Sequence, residues 1–231
     1  MSRPIEIRVR MKGLVTFFFM LAGCHVARAS FKTMLLFPEE ESTDYVTLKA
    51  KNIVAKQITV CMRSFSGLTK PHSLLSLATP EYNKAFLIYP MPPDKFLISI
   101  NNEDTYFKVD PDVFRWKLIC VTWDSKTGLL QLLLNGKRYP RRVTKTRAPI
   151  GPQMSVVLGQ KQGIFGGGFN VNEAFVGEMC EVNIYDSVLP ETTMRSYLAD
   201  TLYYAGTIYN WIDYKYTING SILVLQDQFY F

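Results

Sequence analysis

Histidine is scarce in this chain of 231 residues, which contains only His25 and His72. His72 stands in the polar segment Lys70-Pro71-His72-Ser73, which we expect to be a solvated loop. The residues around it do not supply a nucleophile, a base and an orienting group. Cysteine and histidine do not cluster at zinc-binding spacing either. The sequence therefore predicts a protein that is not an enzyme.

Apolar stretches long enough for a membrane-spanning helix are also lacking. The first 29 residues instead fit a secretory signal peptide, with a basic start that ends at Lys12, a short apolar run at 14–22 and a cleavage site at Ala27-Arg28-Ala29. We expect residues 1–29 to be removed and residues 30–231 to be secreted as one domain. An uncleaved signal anchor is the alternative.

Excess charge is small once the leader is removed. The full chain carries 26 basic and 20 acidic side chains, and residues 30–231 keep 21 and 19 of them. That balance is not a nucleic-acid signature. Six cations are nevertheless concentrated between Lys137 and Arg147 without an acid. This run could bind a polyanion such as a sulfated glycan or DNA, or it could be a solvated hairpin arm whose charges prevent edge pairing.

Cysteine is limited to four residues, and Cys24 leaves with the leader. Cys61, Cys120 and Cys180 remain, an odd number for a secreted chain. Cys180 could be a buried thiol or could form an interchain disulfide. Asn219-Gly220-Ser221 is a candidate glycosylation site in a turn-like segment.

Short apolar stretches with frequent proline and glycine predict an all-β sandwich of two sheets. The predicted strands are 31–37, 45–48, 58–62, 74–78, 86–89, 96–100, 105–109, 116–123, 129–134, 156–158, 175–185 and 222–226. Asn135-Gly136 is a strong hairpin signal after one of them.

The strand at 116–123 is apolar on both faces, with Leu118, Cys120 and Thr122 on one side and Ile119, Val121 and Trp123 on the other. We therefore expect both of its faces to be covered. One helix is predicted from Pro190 to Ala199, where Glu191 complements the helix dipole. Its apolar stripe consists of Met194, Tyr197 and Leu198.

The same strand carries a family resemblance. Cys120, Thr122, Trp123 and Ser125 match the pentraxin signature, although Leu118 replaces its histidine. The surroundings also match, at Ile58-Thr59-Val60-Cys61, Leu133-Leu134-Asn135-Gly136-Lys137, Val157-Leu158-Gly159-Gln160, Phe165-Gly166-Gly167 and Val182-Asn183-Ile184-Tyr185-Asp186. In this register the sequence resembles the pentraxin family from about Phe31 to the C-terminus.

The resemblance implies a lectin-like jelly roll with one short helix on one face and a disulfide between Cys61 and Cys120. It also implies a homo-oligomeric ring of five subunits. The functions implied are those of secreted acute-phase proteins of innate immunity, which mark microbes or cell debris and recruit complement.

The family holds two calcium ions that receive an anionic ligand such as phosphocholine. The resemblance places the metal ligands at Asn83, Lys84, Lys161, Gln162, Gly163, Asn170 and Glu173. Calcium requires six to eight oxygen ligands, several of them anionic. Two of these positions are ammonium groups and Gly163 has no side chain, so we expect calcium binding to be weak or absent.

The resemblance also places a ligand pocket at Leu87, Tyr89, Ser99 and Asp104. Tyr89 offers an aromatic face for a quaternary ammonium, and Asp104 would face its charge. The alternative is that Leu87 and Tyr89 are ordinary strand residues. The ammonium groups of Lys84 and Lys161 could replace the ions and bind an anion, which we favour, or they could pair with Glu173 or Asp104 and close the pocket.

The leading hypothesis is a secreted recognition protein for anionic or phosphocholine-type ligands, with calcium-independent binding through Lys84 and Lys161. A structural or adhesion protein that acts through protein contacts on the same sandwich is the alternative. An enzyme hypothesis, glycoside hydrolysis, would need two carboxylates that face each other across a cleft. Asp104 and Glu173 are the only candidate pair in the sequence.

Overall fold

The structure, a computed structural model, describes residues 32–111, 114–197 and 205–227. These residues form fifteen strands, one α-helix and two short 3₁₀ turns. The strands are β1 (Lys32–Phe37), β2 (Tyr45–Leu48), β3 (Gln57–Phe65), β4 (Leu75–Ala78), β5 (Phe86–Met91), β6 (Lys95–Ile100), β7 (Glu103–Lys108), β8 (Lys117–Asp124), β9 (Leu129–Leu134), β10 (Lys137–Arg138), β11 (Arg142–Val143), β12 (Ser155–Leu158), β13 (Gly177–Tyr185), β14 (Tyr216–Asn219) and β15 (Leu223–Asp227). The helix α1 covers Glu191–Ser196, and the 3₁₀ turns cover Val171–Glu173 and Trp211–Asp213.

The strands form two antiparallel sheets that pack face to face. Within the described residues, the first sheet has the order β10-β9-β8-β3-β13-β1-β15, and β11 also pairs with β9. The second sheet has the order β14-β2-β12-β4-β5-β6-β7. Neighbouring strands often come from distant parts of the chain, as with β3 between β8 and β13. The all-β sandwich predicted from the strand pattern is confirmed.

Both faces of β8 are buried, as its alternation predicts. Ile119, Val121 and Trp123 lie in the core between the sheets. Leu118 and Cys120 point to the opposite face of the first sheet. There they pack with a cluster that includes Met194 of α1 and its neighbours Leu189 and Tyr197. One face of β8 is thus covered by the second sheet, and the other is covered by the single helix.

All twelve predicted strands are present, with shifted ends. Tyr45–Leu48 and Leu129–Leu134 match as predicted, whereas Phe31 lies outside the described residues. Three short strands at the sheet edges, β10, β11 and β14, were not predicted. The strands β10 and β11 have only two residues each and show no alternation, and β14 has four.

The predicted hairpin is present where β9 turns into β10. Asn135 and Gly136 both have positive φ, at 48° and 73°, as a tight two-residue turn of this type requires. The helix is shorter than predicted because Pro190 is its N-cap and Tyr197 follows its last turn. Leu198 and Ala199 lie outside the described residues. Within the described part of the chain, no helix is long and apolar enough to cross a membrane.

Cys61 and Cys120 form a disulfide between two central strands, which confirms the pairing implied by the resemblance. The two residues are directly opposite each other on β3 and β8, and their Cα atoms are 4.2 Å apart. A loop of this length would stabilise the fold by about 4 kcal/mol in the chain-entropy model. Cys180 is fully buried on β13, in the core.

The expectation that His72 is solvated is wrong. Its side chain is 4% exposed, and its ring lies 5.7 Å from that of Phe175. Nδ1 is 2.8 Å from the carbonyl oxygen of Lys70. Burial lowers the pKa of His72 to about 4, although the hydrogen bond to Lys70 opposes this shift. The histidine is therefore a neutral packing residue between strands, a role that its polar sequence context did not reveal.

We predict that His72 makes the fold sensitive to acid. Its pKa is about 4 in the folded protein and 6.5 in the unfolded chain, so the unfolded state takes up the proton first as the pH falls. The contribution of neutral His72 to stability is complete above the unfolded pKa, decreases as the pH falls below it, and is lost as the pH passes through the folded pKa. The free energy of unfolding should fall by about 2 kcal/mol between about pH 7 and about pH 5.

Urea unfolding at both pH values would measure this loss. The variant His72→Asn retains a donor for the Lys70 carbonyl group but does not titrate in this range. It should lose clearly less stability than the unsubstituted protein between the two pH values. Equal losses in the two proteins would show that another group causes the acid sensitivity.

Candidate functional site

A small apolar cluster on the outer face of the second sheet marks the site. Leu87 and Tyr89 on β5 and Leu97 on β6 form it, while the alternate β5 residues Phe86 and Ile88 point into the core. The outer position of Leu87 and Tyr89 follows from strand alternation.

Two polar residues, Ser99 and Asp104, continue the same face of the sheet across the next two strands. Leu87 is opposite Ser99 on β6, and Ser99 is opposite Asp104 on β7. The strand pairing therefore brings Asp104 next to the apolar cluster. The four residues of the predicted ligand pocket lie together on one face.

Lys84 is held at the edge of this face by the turn that joins β6 and β7. Its backbone N–H donates to Oδ1 of Asn102 at 2.9 Å, and the backbone N–H of Asn102 donates to the carbonyl oxygen of Lys84 at 3.0 Å. The Lys84 ammonium then forms an ion pair with Oδ1 of Asp104 at 2.7 Å. Both side chains are partly exposed, so this pair remains accessible to solvent.

Lys161 and Glu173 form a second ion pair over the aromatic ring of Tyr89. The Tyr89 hydroxyl donates to the same carboxylate oxygen of Glu173 at 3.2 Å. The Lys161 ammonium lies 5.7 Å from the centre of the Tyr89 ring, within range of a cation–π interaction. Lys161 thus bonds to Glu173 while it covers the aromatic face.

The charges of these groups are set by their contacts. Burial, together with the negative charge of Glu173, raises the pKa of Tyr89, so the phenol stays protonated and donates. Partial burial acts to raise the pKa of Asp104, but the hydrogen bond from Lys84 and the charge of Lys161 hold it below its usual range. Both ion pairs lie on the face of the second sheet that carries Leu87 and Tyr89.

Two of the predicted metal ligands, Gln162 and Asn170, instead form hydrogen bonds with the backbone. Gln162 is fully buried, and its Oε1 accepts from the backbone N–H of Gly166 at 2.8 Å. Its Nε2 donates to the carbonyl oxygens of Ser76 and Ser155 at 2.8 and 3.0 Å. Asn170 caps the 3₁₀ turn, where its Oδ1 accepts from the N–H of Asn172 at 3.1 Å. The oxygen of each side chain is therefore already bonded to the backbone.

Gly163 occupies a position where a side chain would collide with the backbone. A Cβ placed there would lie 2.7 Å from the carbonyl oxygen of Gly168. Asn83 fastens the same turn from the other side, since its Nδ2 donates to the Gly163 carbonyl oxygen at 3.0 Å. An acidic ligand at this position would require the whole turn to shift.

The residues present do not fit two calcium ions. Lys84 and Lys161 bring positive charge to the site, and the Glu173 carboxylate is shared between Lys161 and Tyr89. Calcium needs several anionic oxygens without competing cations. In the described part of the chain, no group of three or more histidine, cysteine, aspartate or glutamate residues could hold a metal ion. The arrangement is a network of two lysines and two carboxylates, and we name it the four-charge cluster (Lys84, Asp104, Lys161 and Glu173).

Three exposed apolar side chains beside the cluster were missed by the sequence analysis. Ile164, Phe165 and Val171 are 66%, 47% and 41% exposed on the loops that also carry Lys161 and Glu173. The sequence signal for Ile164 and Phe165 is that these two large apolar residues interrupt a glycine-rich segment.

The other predicted sites lie elsewhere. In the basic run, Lys137 pairs with Asp110 and Arg138 pairs with Glu191, so its charge is partly compensated. Asn219 ends β14 and is half-buried, with Gly220 in a positive-φ turn after it.

Comparison with known proteins places this geometry in a family. The model of the pentaxin (pentraxin) family matches residues 33–226. The chain is 58% identical to jeltraxin of Lepidobatrachus laevis over 95% of this chain and 98% of that protein. It is 40% identical to a C-reactive protein of Xenopus laevis over 91% of this chain and 90% of that protein.

A solved structure shows the same fold at low sequence identity. The native heptameric SAP-like pentraxin of Limulus polyphemus superposes with a TM-score of 0.76 at 19% identity, and the match covers 84% of this chain and 94% of that one. The sandwich is thus a jelly roll of the pentraxin type. From the family match and these relatives, we conclude that the chain belongs to the pentraxin family, whose members are lectin-like recognition proteins and not enzymes.

Proposed function

We propose that this pentraxin is a secreted recognition protein that binds zwitterionic ligands of the phosphocholine type without calcium. The observation that carries the proposal is the four-charge cluster, in which both lysines pair with carboxylates beside Tyr89. A single ligand phosphate could bind the lysines where relatives are expected to use metal ions, because an ammonium group is an effective point charge for phosphate.

Charge balance supports a zwitterion over a simple anion. The two lysines and two acids of the cluster are neutral together, so the surplus positive charge that would favour a bare anion is missing. A ligand with both a phosphate and a quaternary ammonium could exchange partners with the cluster and leave every charge paired. Partly exposed ion pairs contribute only about 0–1 kcal/mol each, so the exchange costs little.

The Tyr89 ring could contact the cationic half of such a ligand. Lys161 now holds a positive charge 5.7 Å from the ring centre. A quaternary ammonium could take that position when Lys161 turns toward the phosphate, and Glu173 and Asp104 would then face the ligand cation. Leu87 lies in the same apolar cluster and would contact its methyl groups.

The family supplies the remaining parts of the proposal. We infer removal of residues 1–29, secretion of residues 30–231 and assembly into a ring of five subunits. The solved Limulus relative is heptameric. We also infer a role in marking microbes or cell debris, with recruitment of complement, and glycosylation at Asn219. Polyanion binding by residues 137–147 is a weaker inference because part of that charge is paired.

One observation favours the alternative of an adhesion protein. Ile164, Phe165 and Val171 are exposed beside the four-charge cluster, and exposed apolar side chains of this kind suit contact with another protein. In that function the ion pairs would stay closed and would only fix the loops that present these residues.

We predict that the secreted protein binds immobilised phosphocholine in the presence of a chelator. Binding should weaken as salt is raised, because it depends on partly exposed charges. Free phosphocholine should compete better than choline or glycerol phosphate, by about tenfold, because only the zwitterion satisfies both halves of the cluster. Surface plasmon resonance with these three competitors would measure the order.

The double variant Lys84→Ala/Lys161→Ala should lose most of this binding, while Lys126→Ala serves as the control because Lys126 is an exposed turn residue on the other sheet. Binding that appears only with calcium would refute the proposal. An absence of binding in both conditions would favour the adhesion function.

A further inference from the structure

A cavity of about 180 Å³ opens at one end of the sandwich, between the two sheets. Along β3 the inward positions Ile58, Val60 and Met62 fill the core, but the next inward position is Ser64. The short side chain of Ser64 leaves space where the preceding pattern would place a large apolar group. The cavity is therefore a gap in the core packing that reaches the surface.

The cavity is distinct from the four-charge cluster. Tyr89 and Pro90 are neighbours on β5 and point to opposite sides of the second sheet. Tyr89 faces the cluster, while Pro90 lines the cavity. A ligand in one site would be separated from the other by the sheet.

The inner walls of the cavity are apolar. Phe96, Leu134 and Val109, all members of the main core, line it together with Pro90 and Leu68. A cavity of about 150 Å³ with apolar walls is large enough to hold benzene. The space between the sheets is therefore suited to one aromatic ring.

Two polar side chains, those of Ser64 and His72, line this largely apolar space. Ser64 and His72 are each 4% exposed. Because Nδ1 of His72 lies against the Lys70 carbonyl oxygen, that nitrogen carries the proton and Nε2 is left as an acceptor. Neither Nε2 of His72 nor Oγ of Ser64 makes a hydrogen bond with a residue that the structure describes. Nε2 of His72 can therefore accept a hydrogen bond from a ligand in the cavity.

The mouth of the cavity carries lysine side chains. Lys95, Lys117 and Lys137 line it, and Asp110 is the acid among its lining residues. Asp110 pairs with Lys137, whereas Lys95 is exposed and forms no ion pair with the described residues. The ammonium group of Lys95 therefore favours an anionic group at the mouth.

We propose that this cavity binds a small monocyclic aromatic carboxylate that carries a hydrogen-bond donor on its ring. The ring lies between Phe96 and Leu134, and its donor bonds to Nε2 of His72. The carboxylate stays at the mouth, where Lys95 attracts it. No metal ion or movement of the sheets is required.

The probe is 4-hydroxyphenylacetate, which has a ring, a phenolic donor and a carboxylate. It should bind the secreted protein with a dissociation constant on the order of 1 mM, as expected for a ligand of this size. Phenylacetate lacks the donor, and tyramine carries an ammonium in place of the carboxylate, so both should bind several-fold more weakly. Saturation-transfer NMR and calorimetry in a chelator would measure all three.

Variants locate the site. Ser64→Leu fills the cavity with apolar atoms and should abolish binding, and Lys95→Glu should weaken it by roughly fivefold without touching the core. Lys126→Glu and the double variant Lys84→Ala/Lys161→Ala should bind the probe as the unsubstituted protein does. Thermal unfolding would confirm that each variant is folded. If Ser64→Leu does not fold, Lys95→Glu alone tests whether the probe binds in the cavity.

The proposal would be overturned by an absence of probe binding at about 10 mM, by equal binding of tyramine, or by unchanged binding in Lys95→Glu. Loss of probe binding in Lys84→Ala/Lys161→Ala would also refute it, because the probe would then occupy the four-charge cluster.

Discussion

The ion pair between Lys161 and Glu173 is the contact on which the functional face of this protein depends. It joins the loop after β12 to the 3₁₀ turn before β13, and both segments rest on Tyr89 of the second sheet. Lys161 contributes the charge that compensates Glu173 and covers the aromatic ring at the same time. Without this lysine, the carboxylate and the ring would form an open acidic and aromatic surface.

The proposed function would change how the pentraxin fold recognises a ligand. A metal ion bound by carboxylates offers a fixed, strong positive charge to an anion. A lysine–carboxylate pair offers a weaker charge that must first leave its partner, and the partner is then free to bind a cation. This exchange is the reason that we propose a ligand with both charges, and that we expect its binding to depend on salt rather than on chelators.

The fold could be predicted largely from local patterns. Alternation along β8 indicated two covered faces, and Asn135-Gly136 indicated the hairpin after β9. The partner of Cys61 came only from the family resemblance, because spacing along a chain does not show which strands become neighbours. The edge strands β10 and β11 were missed since each has only two exposed residues, and β14 was missed although Tyr216 and Ile218 alternate and pack against the core.

The site was less accessible to sequence reasoning. The resemblance located Lys84 and Lys161 near one another, but their pairing with Asp104 and Glu173 depends on loop geometry that a sequence does not contain. The same limit applies to His72, whose burial is produced by Phe175 from a distant part of the chain. Gly163 was recognised as a missing ligand, yet its close approach to the Gly168 carbonyl group became visible only in three dimensions.

The central claim is that the four-charge cluster replaces the calcium site of the family. Titration of calcium into the metal-free secreted protein, followed by isothermal calorimetry, tests it most directly. We expect no saturable binding in the micromolar range, because the ammonium groups of Lys84 and Lys161 stand where calcium would need anionic oxygens. Saturable micromolar binding of about two ions per chain would contradict the account.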